Sequence, residues 1–147
     1  MRIALAADHN GVALKASIIE LLTRLGHQTV DLGAHEADGE VDYPPLCAAL
    51  GLLVVSGQAE RGIVLGGSGL GETVACNKTR GIRAGLCHDR WSTQVSRGNN
   101  DSNVLVLAAK IITPELAKQI LATWLGTRFR GGVHRRRPDQ IAALERG

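Results

Sequence analysis

With 147 residues, 44% of them hydrophobic and 21% charged, the chain is long enough to build one domain, residues 1 to 147, around a real core. An aromatic content of 3% leaves little to stack on nucleobases, so nucleic-acid binding is not expected, and a formal charge of +3 suits an anionic small substrate or ordinary solubility alike. Cys47, Cys76 and Cys87 show no CxxC spacing, no basic and apolar leader precedes the first strand, and no apolar run approaches the roughly 20 residues that span a bilayer; a reduced, cytoplasmic, non-membrane protein is expected.

In chain order, residues 2 to 7, RIALAA, predict a buried strand. Residues 11 to 25 predict a helix that gathers Leu14, Ile18, Leu21, Leu22 and Leu25 on one face, with Gly26 as its left-handed cap. A second strand over 27 to 32 leads into the polar stretch HEADGEVDYPP and a helix from about Pro45 to Val55. Strands are predicted again at 63 to 65, 82 to 87 and 104 to 108, with a helix over 89 to 97. Thr113, Pro114 and Glu115 form a strong helix start, with Leu116, Ile120 and Trp124 at helical spacing behind it. A last, basic helix from about 134, interrupted or begun at Pro138, is expected to turn Ile141 and Leu144 inward. Alternating strands and helices predict a three-layer α/β/α, Rossmann-like fold with a five-stranded parallel sheet, whose ligand lies off the carboxyl ends of the strands.

That rule singles out Asp8, His9 and Asn10 after the first strand, Asp42 and Tyr43 after the second, the glycine loop after the third, and His88 and Asp89 after the fourth. Asp8 reads equally as a helix cap, Tyr43 as turn packing, and His88 with Asp89 as a helix start. Residues 62 to 72, GIVLGGSGLGE, combine a strand, glycines whose amides can approach an anion, and Glu72 just inside a helix. The spacing fits neither GxGxxG nor a phosphate-binding P-loop, and no histidines stand at metal-ligand spacing, so neither a nucleotide, another cofactor nor a metal is expected.

ADHNG at 7 to 11, DYP at 42 to 44, GIVLGGSGLGE at 62 to 72, CNK at 76 to 78, GIRA at 81 to 84, NND at 99 to 101 and GGVHRRR at 131 to 137 resemble the ribose-5-phosphate isomerase B family. That family also contains allose-6-phosphate and galactose-6-phosphate isomerases, and the similarity runs from end to end. The resemblance implies metal-free aldose-ketose isomerisation of a sugar phosphate through a cis-enediolate, in a homodimer with shared active sites or a tetramer of two such dimers.

On that resemblance Glu72 is the base, because the cysteine that some members use falls on Gly66, and Ser68 with the amides of Gly67, Gly69 and Gly71 holds the oxyanion. The helix dipole would weaken Glu72 as a base, so burial or an apolar wall is expected beside it. Asp8, Tyr43 and Asn100 match substrate contacts, and His9, Lys110 and Arg137 match phosphate contacts. A second phosphate arginine falls on Val133, where His134, Arg135 and Arg136 are near enough to replace it. Asn99 stands where the ribose-5-phosphate enzymes carry a histidine thought to open the furanose ring, and an amide cannot relay a proton. Ribose 5-phosphate is therefore the default substrate; a tetrose or tetrulose 4-phosphate, which arrives linear, and a hexose 6-phosphate are the rivals. Loss of these two residues also fits a weakly catalytic subunit of a mixed oligomer.

Overall fold

The computed structural model describes residues 1 to 37 and 39 to 147; within the polar stretch ahead of Tyr43, Asp38 lies outside the described residues. Strands β1 (Arg2–Ala7), β2 (Gln28–Asp31), β3 (Arg61–Gly66), β4 (Ala84–Leu86) and β5 (Val104–Ala108) form one sheet in the order β2-β1-β3-β5-β4, parallel throughout. Helices α1 (Val12–Arg24), α2 (Tyr43–Val55), α3 (Leu70–Cys76), α4 (Arg90–Gly98), α5 (Pro114–Gly126) and α6 (Arg136–Leu144) complete it.

Ladder residues of the central strands are apolar on both faces, as a parallel sheet covered twice requires. Ile3, Leu5, Ile63, Leu65, Leu105 and Leu107 pack against Ile18 and Leu22 of α1 and Ile120, Leu121 and Trp124 of α5. Ala4, Ala6, Val64, Val104 and Val106 meet Cys47 and Leu50 of α2 and Cys76 of α3 on the other face. The expected three layers are therefore present.

Boundaries moved where local chemistry acts. Helix α2 starts at Tyr43 rather than at about Pro45, because Asp42 is the extended N-cap and the first turn tolerates prolines, whose missing N–H has no partner there. Strand β4 is only Ala84–Leu86, an edge strand whose Ala84 N–H donates to Asn77 Oδ1 at 2.8 Å while its carbonyl accepts from Asn77 Nδ2 at 3.1 Å. A side chain thus takes the place of a sixth strand at the open edge. Helix α6 corrects the sequence reading: Ile141 and Leu144 face outward, at 47% and 81% exposure, lining a surface cavity instead of the core. A single 3-10 turn, Gly132–His134, precedes it.

The chain leaves β1 through α1 on one face and leaves β3 through α3 on the other, so the connections from the carboxyl ends of these paired strands part to opposite faces of the sheet. An open parallel sheet has its crevice at such a switch point. Asp8 and Gly66 are the residues there.

Candidate active site

Glu72 is built into the crevice by the turn that precedes it. Gly69, at φ +72°, caps α3 in a conformation that costs other residues dearly, and the first turn of the helix then carries Glu72 back over the end of β3. Its carboxyl lies directly on Gly66, so closely that a β-carbon at position 66 would overlap it. The side chain is 3% exposed. Burial pushes its pKa up, the neighbouring Asp8 carboxyl adds to the rise, and its own backbone N–H opposes both. The burial expected from the dipole argument is present.

Its surroundings come in two tiers between α2 and α3. Above, the Tyr43 hydroxyl rests on Gly71, where a β-carbon would displace it. One helical turn below, Cys47 of α2 and Cys76 of α3 face each other, both fully buried. The Cys76 thiol and burial push Cys47 far up, so that thiol stays protonated beneath Glu72. The spacing of Tyr43 to Cys47 and of Glu72 to Cys76, four residues each, carries this arrangement in the sequence, although the cysteines had no part in the expected site.

From β1, Asp8 is buried, and its carboxylate accepts from Asn10 twice, at 2.8 Å from the backbone N–H and at 3.3 Å from Nδ2. The Val41 N–H donates to His9 Nδ1 at 3.2 Å, and Asn10 Nδ2 lies 3.4 Å from His9 Nε2, so the ring is held from both sides. Asn10 and Lys110 reach over the loop: a β-carbon at Gly67 would stand 3.1 Å from Asn10 Nδ2 and 3.4 Å from Lys110 Cδ. The end of β5 grips the loop from the other side, the Ala109 and Lys110 N–H groups donating to the Gly66 and Gly67 carbonyls at 2.8 and 3.0 Å. Ser68 is exposed and accepts from the Leu70 N–H at 3.2 Å, which leaves its own hydroxyl hydrogen free to donate outward.

Asp8, His9, Tyr43, Gly67, Ser68, Gly69, Gly71, Glu72 and Lys110 are therefore one cluster. Asn99, Asn100, His134 and Arg137 are not part of it within the chain. Helix α4 runs back from the carboxyl edge, so Asn99 at its end, and the turn after it, lie at the opposite edge, where the Asn103 carbonyl accepts from Gly62. Gly62 to Gly66 alone spans roughly 13 Å of strand. There the Arg130 Nη1 donates to Asn99 Oδ1 at 3.1 Å, and Asn100 and Arg137 share a cavity of about 580 Å³ with Arg83, Ser96 and Ile141. Arg130 went unnoticed in the sequence because its contact with Asn99 spans 31 positions.

Residues 3–141 match the sequence model of a family described as Ribose/Galactose Isomerase. The chain belongs to that family. It is an aldose-ketose isomerase of phosphorylated sugars, as the motifs led one to expect. It is 38% identical over 144 residues to the Escherichia coli protein named ribose-5-phosphate isomerase B, covering 98% of this chain and 96% of that one. Identity to the D-erythrulose-4-phosphate isomerase of Pectobacterium atrosepticum is 35% over 145 residues, 99% and 95% of the two chains. The solved structure of Clostridium thermocellum ribose-5-phosphate isomerase B superposes with a TM-score of 0.97 at 38% identity, covering 99% of this chain and 98% of that one. Among the described residues no helix is long and apolar enough to cross a membrane.

Proposed function

We propose that the chain interconverts ribose 5-phosphate and ribulose 5-phosphate through a cis-enediolate, with Glu72 as the base. The observation that carries this reading is the buried Glu72 carboxyl facing the glycine loop from the volume that Gly66 leaves open. A carboxylate whose proton affinity burial has raised removes the proton beside the carbonyl and returns it to the adjacent carbon. The loop amides and the Ser68 hydroxyl stabilise the oxyanion as it forms. Asp8 and Tyr43 orient the sugar hydroxyls; His9 and Lys110 draw the phosphate.

Asn99, Asn100, His134 and Arg137 enter from a second copy in a cytoplasmic homodimer with two shared sites. Their place at the far edge of the sheet supports this reading. So does the outer face of α3, where Leu70 and Val74, one turn apart beside the loop, are 64% and 61% exposed.

Asn99 favours a second reading. Its amide oxygen is engaged by Arg130 and relays no proton, so a linear tetrose 4-phosphate suits the site better than a ring that must open. Proton NMR in deuterated water, with ribose 5-phosphate and erythrose 4-phosphate in separate tubes, distinguishes the two. Conversion of the pentose with deuterium incorporated next to the carbonyl upholds the first reading; conversion of the tetrose alone replaces it with the second; no conversion of either defeats both.

A further inference from the structure

Asp8 stands one rung from the place where Glu72 lies. In the β1–β3 ladder Ala7 is level with Leu65, and the Asp8 N–H donates to the Leu65 carbonyl at 3.1 Å. Strand residues alternate faces, so Asp8 follows Ala4 and Ala6 onto the face that Val64 and Gly66 share. The Glu72 carboxyl lies on Gly66, so the two carboxyls are neighbours at adjoining strand ends, Asp8 at 6% and Glu72 at 3% exposure.

Their environments differ. Asp8 has two donors, both from Asn10, while Glu72 has no side-chain donor among the described residues. Donors favour the charged form of the group that they contact, and two adjacent carboxyls do not readily ionise together. The proton therefore belongs to the pair, and the donors decide where it rests.

We propose that Asp8 and Asn10 form a positioning unit for the proton transfer: Asn10 fixes the Asp8 carboxyl beside Glu72, and that fixed neighbour tunes Glu72 as the base. This rests on the reading of Glu72 as the base. The other titratable groups near Glu72 are Tyr43, whose hydroxyl rests on Gly71, and the Cys47 and Cys76 thiols of the tier below, of which Cys47 is pushed far up by Cys76 and burial. His9 and Lys110 approach Asn10 and Gly67 rather than Glu72. Asn10 serves the reaction without touching the reacting carbons, so its signature is a pH profile rather than a simple loss of rate.

The test measures the acidic limb of kcat/KM for Asp8→Asn, Asn10→Ala and the double variant. In parallel, the Glu72 carboxyl is titrated by carbon-13 NMR without substrate, which reports even where turnover is lost. Asp8→Asn moves the Glu72 titration and the limb to lower pH and slows proton exchange at least about tenfold. Asn10→Ala moves the Glu72 titration part of the way in the same direction, because Asp8 is then no longer held against it. The double variant matches Asp8→Asn, since Asn10 acts through Asp8. An unmoved Glu72 titration in Asp8→Asn overturns the inference, as does a double variant that sums the two single shifts. Full turnover in Glu72→Gln instead removes the underlying base assignment.

Discussion

The Glu72 carboxyl occupies the volume that a side chain at Gly66 would fill. The base and the glycine are one feature, because a buried carboxyl can approach the end of β3 only where that strand lacks a β-carbon. Gly66→Ala is therefore expected to lower kcat/KM by about 10²-fold or more, within the range that a positioned base contributes. Overpacking of this kind costs about 1–3 kcal/mol of stability. Steady-state isomerisation beside thermal unfolding checks both, and a fully active Gly66→Ala protein would show that the carboxyl does not work from this position.

Glu72→Gln keeps the shape and removes the base. Exchange of the proton beside the carbonyl should fall by about 10²–10⁴-fold, while affinity for inorganic phosphate stays near that of the native protein. Deuterium incorporation followed by NMR, with phosphate binding measured by calorimetry, separates the two effects.

The raised Glu72 titration has a consequence for stability. A carboxyl whose folded pKa lies above its unfolded value of about 4.3 stabilises fully below that value, and the contribution is lost as pH rises through the folded value. Glu72→Gln should therefore melt above the native protein near neutral pH, each kcal/mol appearing as about 2–4 °C, and the gap should close in acid. An equal or lower melting point at neutral pH would contradict the direction of the shift.

Subunit mixing tests the shared site. Glu72→Gln and Arg137→Ala should each be inactive alone. Unfolded and refolded together, they should regain up to about a quarter of native activity, since half of the dimers are hybrids and each hybrid has one intact site. A mixture that stays inactive would place both residues in the same chain's site.

Asn99→His should raise turnover of cyclic ribose 5-phosphate relative to erythrose 4-phosphate, because an imidazole can relay the proton that opens the ring. An unchanged ratio between the two substrates would show that ring opening does not depend on this position.

Much of the molecule is written in local patterns. The apolar runs of β1, β3 and β5, the start of α5 at Thr113 and the crevice at the strand ends follow from periodicity and capping, interactions that span only a few residues. Glu72, Asp8 and the glycine loop were legible for the same reason: each sits at a strand end. What the tertiary structure decided is which of these groups touch. The nearness of Glu72 to Asp8 depends on strands whose paired residues stand 58 positions apart in the chain, Ala7 against Leu65, being neighbours in the sheet. The separation of Asn99 and Arg137 from Glu72 came only from the direction in which α4 runs, and the exposure of Ile141 and Leu144 from the open cavity that α6 borders instead of closing onto the core. Periodicity marks an apolar face; only packing determines what, if anything, that face meets.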